Sequence, residues 1–259
     1  MIRLRLIRAR PIRARLIRAR PGVLAAAGAV AVLCTACAGS PTSGAPAPGP
    51  APAASSSATP AVLEASKVGT SVSEAAKQAS SVHVSGTVSE SGTVKLDLKL
   101  SKDGASGTVD KDGVAVPVLR VKDKYFFRFT DSLIKEAGIP ASSSVVKQLK
   151  DKWVPSTSQI GAGIGDAFKE FLDYTTFVDG TVGALGTTTF SGGEKSTVDG
   201  ASVLKYTSSE GTAYVAADEP HYLLLLQAAD KGTMNFSDWN KPVTVSEPPK
   251  SEIYSGPGA

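Results

Sequence analysis

The chain has 259 residues, 42% hydrophobic and 20% charged, which is enough apolar material for one sizeable core and too much for a disordered polymer. Its formal net charge is +4, yet eight of the ten arginines lie within residues 3–20; without that block 20 basic residues face 24 acidic ones. An acidic body excludes nucleic acid as the expected partner, because a phosphate backbone demands positive charge.

Residues 1–21 repeat an Ile/Leu-Arg-Ala-Arg pattern, and residues 22–33 form an uncharged, alanine-rich apolar run. A basic flank, a short apolar stretch and small residues before a cysteine define a secretory signal, expected here over 1–36. The run is too short to span a bilayer, which takes ~20 apolar residues. The leader holds no adjacent arginine pair, so the Sec route is expected rather than the twin-arginine one. A nucleic-acid-binding arm and a start codon set too far upstream are the other readings of the arginine block. Neither alters the mature chain.

Leu33-Cys34-Thr35-Ala36-Cys37-Ala38-Gly39-Ser40 resembles a bacterial lipobox. Thr35 and Ala36 fit the two positions before the modified cysteine, and Cys34 stands where leucine is usual. Modification of Cys34 would instead put bulky Leu33 next to the cut. The resemblance implies that Cys37 is diacylated and becomes the new N-terminus, and two acyl chains make membrane attachment stable. The expected location is the extracytoplasmic face of the membrane. An ordinary cleaved signal or a Cys34–Cys37 disulfide are the alternatives, but the disulfide loses a partner when the leader is removed. Residues 37–61 join this cysteine to a linker of Ala, Gly, Pro, Ser and Thr, which cannot bury a core. At ~3.1 Å per residue it reaches roughly 70 Å when fully extended.

The body begins with a helix expected over 62–80, with Val62, Ala65, Val72, Ala75, Ala76 and Ala79 near one face and Gly69, Thr70 and Ser71 weakening it. From Ser81 the period becomes two. Val82-His83-Val84, residues 94–100, 105–110 and 114–121, and Tyr125-Phe126-Phe127-Arg128-Phe129 read as strands joined by Gly- and Asp-containing turns, an antiparallel meander. Short helical pieces are expected at 133–137 and 145–149, and a strand at Lys152-Trp153-Val154-Pro155. A helix capped by Asp166 is expected over 166–174, entered through a flexible loop at Gly161-Ala162-Gly163-Ile164-Gly165. Strands resume at 187–190, 194–198, 202–207, 212–216 and 222–227. The last begins near Thr233 and is drawn as running past Trp239. Leu223-Leu224-Leu225-Leu226 reads as a strand covered on both faces. The fold class is α+β, a curved antiparallel sheet (half-barrel) wrapped on an N-terminal helix and a helical insertion. One domain is expected over 62–247, followed by a disordered tail over 248–259.

Several pieces together resemble the LolA/LolB-like fold, and within it the LppX/LprG group of actinobacterial envelope lipoproteins. They are the lipobox and linker, the helix before the meander, Lys152-Trp153-Val154, the stretch Gly-Glu-Lys-Ser-Thr-Val-Asp-Gly at 193–200, and the segment from Asn235 through Trp239 and Pro242 to Val245. Arg128 in the aromatic strand and the Gly-rich 156–165 depart from the pattern. The resemblance implies an apolar cavity that binds the acyl chains of lipids or lipoglycans, and lipid trafficking in the envelope. Cavity candidates are Val94, Leu96, Leu98, Leu100, Tyr125, Phe127 and Phe129 on the sheet, with Phe168 and Leu172 from the helix. For any one of them, plain core packing is the commoner role. An envelope interaction or sensor lipoprotein, packed shut and contacting an envelope transporter, an enzyme or the cell wall through its surface, is the alternative function.

No catalytic residue, cofactor or metal is expected. His83 and His221 are the only histidines, and neither has a metal-ligand spacing. Alternation turns His83 away from the face that Val82 and Val84 bury. Gly161-Ala162-Gly163-Ile164-Gly165 lacks the spacing of a phosphate loop, and no Gly-x-Ser-x-Gly elbow occurs.

Overall fold

A computed structural model describes residues 62–89, 92–140 and 143–256. The signal, Cys37 and the linker lie outside the described residues.

A 3₁₀ turn, Ala65–Lys67, leads into helix α1 (Val68–Gln78). Its buried positions Val68, Val72, Ala75 and Ala76 recur at helical spacing and form one apolar face. Val62 and Ala65, expected on that face, precede the helix, and Val62 is half exposed. Gly69, which weakens the helix in isolation, is what lets it dock: a Cβ there would overlap the Leu185 carbonyl oxygen.

Strands β1 (Ser81–Ser89), β2 (Thr93–Ser101), β3 (Gly104–Lys111), β4 (Val114–Val121), β5 (Lys124–Arg128) and β6 (Trp153–Pro155) form the first meander. The short helices α2 (Asp131–Glu136) and α3 (Ser144–Leu149) interrupt it between β5 and β6. Helices α4 (Gln159–Leu172) and α5 (Tyr174–Thr181) and a 3₁₀ turn, Gly183–Thr187, then carry the chain to the opposite edge. The second meander is β7 (Ser191–Val198), β8 (Ala201–Ser208), β9 (Gly211–Ala216), β10 (Leu223–Ala228) and β11 (Gly232–Ser237). The eleven strands make one sheet in the order β6-β5-β4-β3-β2-β1-β11-β10-β9-β8-β7, antiparallel throughout. It is open, with β6 and β7 at its edges.

The register lines up the inward side chains. One row runs Val154, Phe127, Val118, Gly107, Leu98, Val84, Phe236 across seven strands. The next runs Val116, Val109, Leu96, Gly86, Met234, Leu226, Ala213, Tyr206. Gly86 (φ 152°) and Gly107 (φ 149°) interrupt these rows where a Cβ would overlap a neighbouring strand's carbonyl. In-strand glycines of this kind let a strand bend sharply. Pro117 lies beyond the stretch of β4 that pairs with β5, where a missing N–H costs least. The helices cover the inward face, and one core cluster joins α1, α4 and α5 to both meanders. A smaller cluster unites Phe129, Ile134, Leu149, Val154 and Tyr254.

Several expectations are corrected. Residues 159–165 are helix, not loop: Ser158 caps α4 through its hydroxyl to the Gly161 N–H, while Asp166 pairs with Lys169 instead. Gly161 and Gly165 are buried where a side chain would strike the Pro155 carbonyl oxygen and Ser156, so close packing outweighs glycine's poor helix propensity. Residues 187–190 are not a strand, and α5 and the 3₁₀ turn after it fill residues 175–186, where no element was expected. A bulge at Leu224 separates Leu223, facing the core, from Leu225, so β10 is not sealed on both faces. The last strand stops at Ser237, before Asp238 and Asn240, which take φ of 53° and 62°.

Over its described residues, 248–256, the expected disordered tail is also corrected. From Asp238 the chain crosses the sheet's first half as a strap. The Asn240 side chain accepts the Ser80 N–H, Val245 packs on Gly104, and Glu247 pairs with Lys124 at 2.6 Å. Ile253 then bridges to Trp153 in parallel, beside the β6 edge, and Tyr254 is buried.

Candidate apolar binding site

The nine cavity candidates separate into three groups. Leu96, Leu98, Leu100, Phe127 and Leu172 lie in the main core, the last four with no measurable exposure. Phe129 follows β5 and belongs to the smaller cluster instead of the sheet's inward face, because the chain leaves the sheet at Arg128. Val94, Tyr125 and Phe168 are only half buried and pack against the edge of the main core.

Phe168 and Tyr125 mark a seam between α4 and the sheet. The Phe168 ring stands 5.7 Å from that of Phe127, and the Lys169 ammonium sits 5.9 Å above the Tyr125 ring. Ile164 and Phe171, also half buried, continue the apolar face of α4. A surface pocket of about 270 Å³ adjoins Tyr125, lined by Lys124, Phe126, Pro155, Ser156, Thr157 and Glu247. Phe126, which alternation turns outward, is nonetheless buried.

At the other end of α4 the helices are locked to the sheet by Arg120, whose side chain is 9% exposed. It donates to the carbonyls of Ser101, Lys102, Lys122 and Leu172, and its guanidinium lies 3.5 Å from the Asp173 carboxylate. Burial alone would raise the Asp173 carboxyl. Hydrogen bonds from the Thr176 N–H and hydroxyl, with the charge of Arg120, outweigh it and hold that carboxyl below its ordinary value. The Tyr174 hydroxyl, its pKa pushed up by burial and by Tyr222, donates to the Ala76 carbonyl at 2.6 Å and ties α5 to α1. None of Arg120, Asp173 and Tyr174 stands out as a site residue in the sequence. Arg120 left a signal, since it continues the inward parity of Val114, Val116 and Val118 as a lone charge.

His83 faces away from the core, as alternation requires. Its Nε2 lies 2.8 Å from the Asp97 carboxylate and its Nδ1 3.4 Å from the Ser237 hydroxyl, a cross-strand network over β2, β1 and β11. His221 takes φ of 60° in a turn, its Nδ1 3.0 Å from the Ala216 carbonyl. Among the described residues no three His, Cys, Asp or Glu side chains are grouped to hold a metal ion, and no helix is long and apolar enough to cross a membrane.

An open antiparallel sheet with helices on one face is the architecture that the LolA/LolB-like resemblance implies. Among solved structures the chain is similar to LprF from Mycobacterium bovis, at 15% identity over 71% of this chain and 96% of that one, with a TM-score of 0.48. It is similar to MucB in complex with MucA(peri) at 12% identity and a TM-score of 0.32, over 75% of this chain and 61% of that one. The Pseudomonas aeruginosa MucA/MucB complex matches at 13% identity and a TM-score of 0.31, over 75% of this chain and 62% of that one. No protein-family model and no curated protein sequence matches the chain.

Proposed function

We propose that the chain is a lipid-anchored protein of the cell envelope that holds acyl chains of a lipid or lipoglycan between α4 and the inward face of its sheet. The anchor is diacylated Cys37, reached by Sec export, and the linker gives the domain room above the membrane. The observation that carries the reading is the seam itself: Tyr125 and Phe168 are half buried where an amphipathic helix meets an apolar sheet face. Half-buried Ile164 and Phe168 line the middle of a helix that Arg120 holds at its C-terminal end, and an acyl chain admitted there would lie between them and the sheet. Each methylene so buried contributes about 0.8 kcal/mol.

A second reading is favoured by the full burial of Leu98, Leu100, Phe127 and Leu172. Here the domain carries no cargo and meets a transporter or other envelope protein through its surface. Native mass spectrometry of the protein purified from membranes separates the two. Lipid beyond the Cys37 anchor, lost in a folded Phe168→Asp variant, supports the first. A parent protein that carries only its anchor sinks it.

A further inference from the structure

The outward face of the sheet carries two different surfaces. Leu96, Met234 and Leu226 point inward, so their chain neighbours point away from the helices. Over β2 and β3 those neighbours are charged: Lys95, Asp97, Lys99 and Asp110. Further toward β5 the strap lies over this face, with Val245 on Gly104 and Glu247 on Lys124.

From β1 across to β7 the face changes character. One outward row runs Thr87, Thr233, Gln227, Thr212, Thr207, Ser191, with one residue from each strand directly opposite the next. The row beside it runs Ser85, Asn235, Leu225, Tyr214, and the uncharged patch ends where Lys205 follows Tyr214. None of the side chains in the patch is buried and none is charged, in a chain that is 20% charged. The Tyr214 hydroxyl donates to the Gln227 side-chain oxygen at 3.3 Å, and the Ser191 and Thr207 hydroxyls lie 3.1 Å apart. The side chains of Thr87, Thr212, Thr233, Ser85 and Asn235 make no hydrogen bond to another described residue, so their polar groups are open to a ligand.

We infer that this face binds an extended, uncharged polysaccharide. Hydroxyl and amide groups that donate or accept as needed match a ligand built of hydroxyls, whereas a polyanion or polycation would find no counter-charge. The strands set these groups ~4.8 Å apart along a row of about 24 Å, close to one sugar ring per strand for a linear glycan laid across them. The Tyr214 ring, with Leu225 opposite it, offers an apolar surface to the C–H side of a sugar. A protein partner is disfavoured, because protein interfaces centre on clustered aromatic and arginine anchors and this patch holds a single ring. The patch lies on the side of the sheet away from the helices, so the inference stands whether or not the seam at Phe168 holds acyl chains.

The test is co-sedimentation of the full chain, in mild detergent, with insoluble cellulose, chitin and mannan, three uncharged polysaccharides. Binding to at least one is expected, equal at low and high salt because no charge takes part. Tyr214→Ala removes the ring and Thr233→Lys puts a charge in the row, and each is expected to weaken binding about tenfold. Both side chains are part exposed, and unchanged melting temperatures show that the fold is intact. Thr212→Glu repeats the charge test should either variant melt early. No sedimentation with any of the three, binding that salt abolishes, or variants that bind as the parent does each overturn the inference. Phe168→Asp is expected to lose lipid and still sediment as the parent does, so the lipid and glycan readings fail separately.

Discussion

Arg120 shows how one buried charge organises a helical insertion. It satisfies carbonyls from the β2–β3 turn, from its own turn and from the end of α4, and it faces the residue that caps α5. Arg120→Met would leave those carbonyls without donors, and we expect a loss of about 3 kcal/mol in denaturant unfolding. A loss under about 0.5 kcal/mol would show that water replaces the guanidinium. Tyr174→Phe, which strands the Ala76 carbonyl, is expected to cost about 1 kcal/mol by the same assay. Asp173 adds a pH signature. Its carboxyl is depressed below the ordinary 3.8, so its contribution is full above that pH and is lost as the pH falls through the folded value. Melting temperatures of parent and Asp173→Asn should therefore differ near neutrality and converge below pH 3.8; a gap that persists in acid would refute it.

At the scale of elements, α4 carries a sharp internal contrast. Gly161 is pressed against the Pro155 carbonyl, whereas Gly163, two residues on, has open space where its side chain would be. Gly161→Ala is expected to destabilise by about 2 kcal/mol, and Gly163→Ala to stabilise by roughly 0.5–1 kcal/mol, in paired thermal melts. Equal effects would mean that α4 does not lie against β6 as described. The same helix marks the limit of what sequence makes legible. Strands β2 and β4 are plain in the alternation of Val94 to Leu100 and Val114 to Val121, because one buried face imposes period two. Glycines at 161, 163 and 165 read as loop, because helix propensity is local and the closeness of β6 is not. Tyr254 was missed for the same reason, since a single aromatic in a polar, proline-containing tail has no period to reveal it. Of the site, the apolar sheet positions were legible as a set. Alternation says which way a side chain points, and only the packing of α4 says which remain half buried.

For the whole molecule the decisive residue in the proposed function is Cys37. Cys37→Ser is expected to move the protein from the membrane fraction to the soluble fraction and to abolish incorporation of labelled fatty acid; retention in the membrane would refute the anchor. Without residues 1–36 the chain carries 20 basic against 24 acidic residues, so the released protein should bind an anion exchanger near neutral pH.

The central seam of the sheet joins β1 to β11, two strands separated by most of the domain. Until residue 237 has been synthesised, β1 keeps one ladder of N–H and C=O groups unpaired in the middle of what will be the core. The domain therefore cannot complete itself while its C-terminal part is still on the ribosome, and long-range pairing of this kind is slow. A chain so arranged completes its sheet only after its C-terminal meander is made, and the proposed Sec export would then meet an incompletely folded polypeptide.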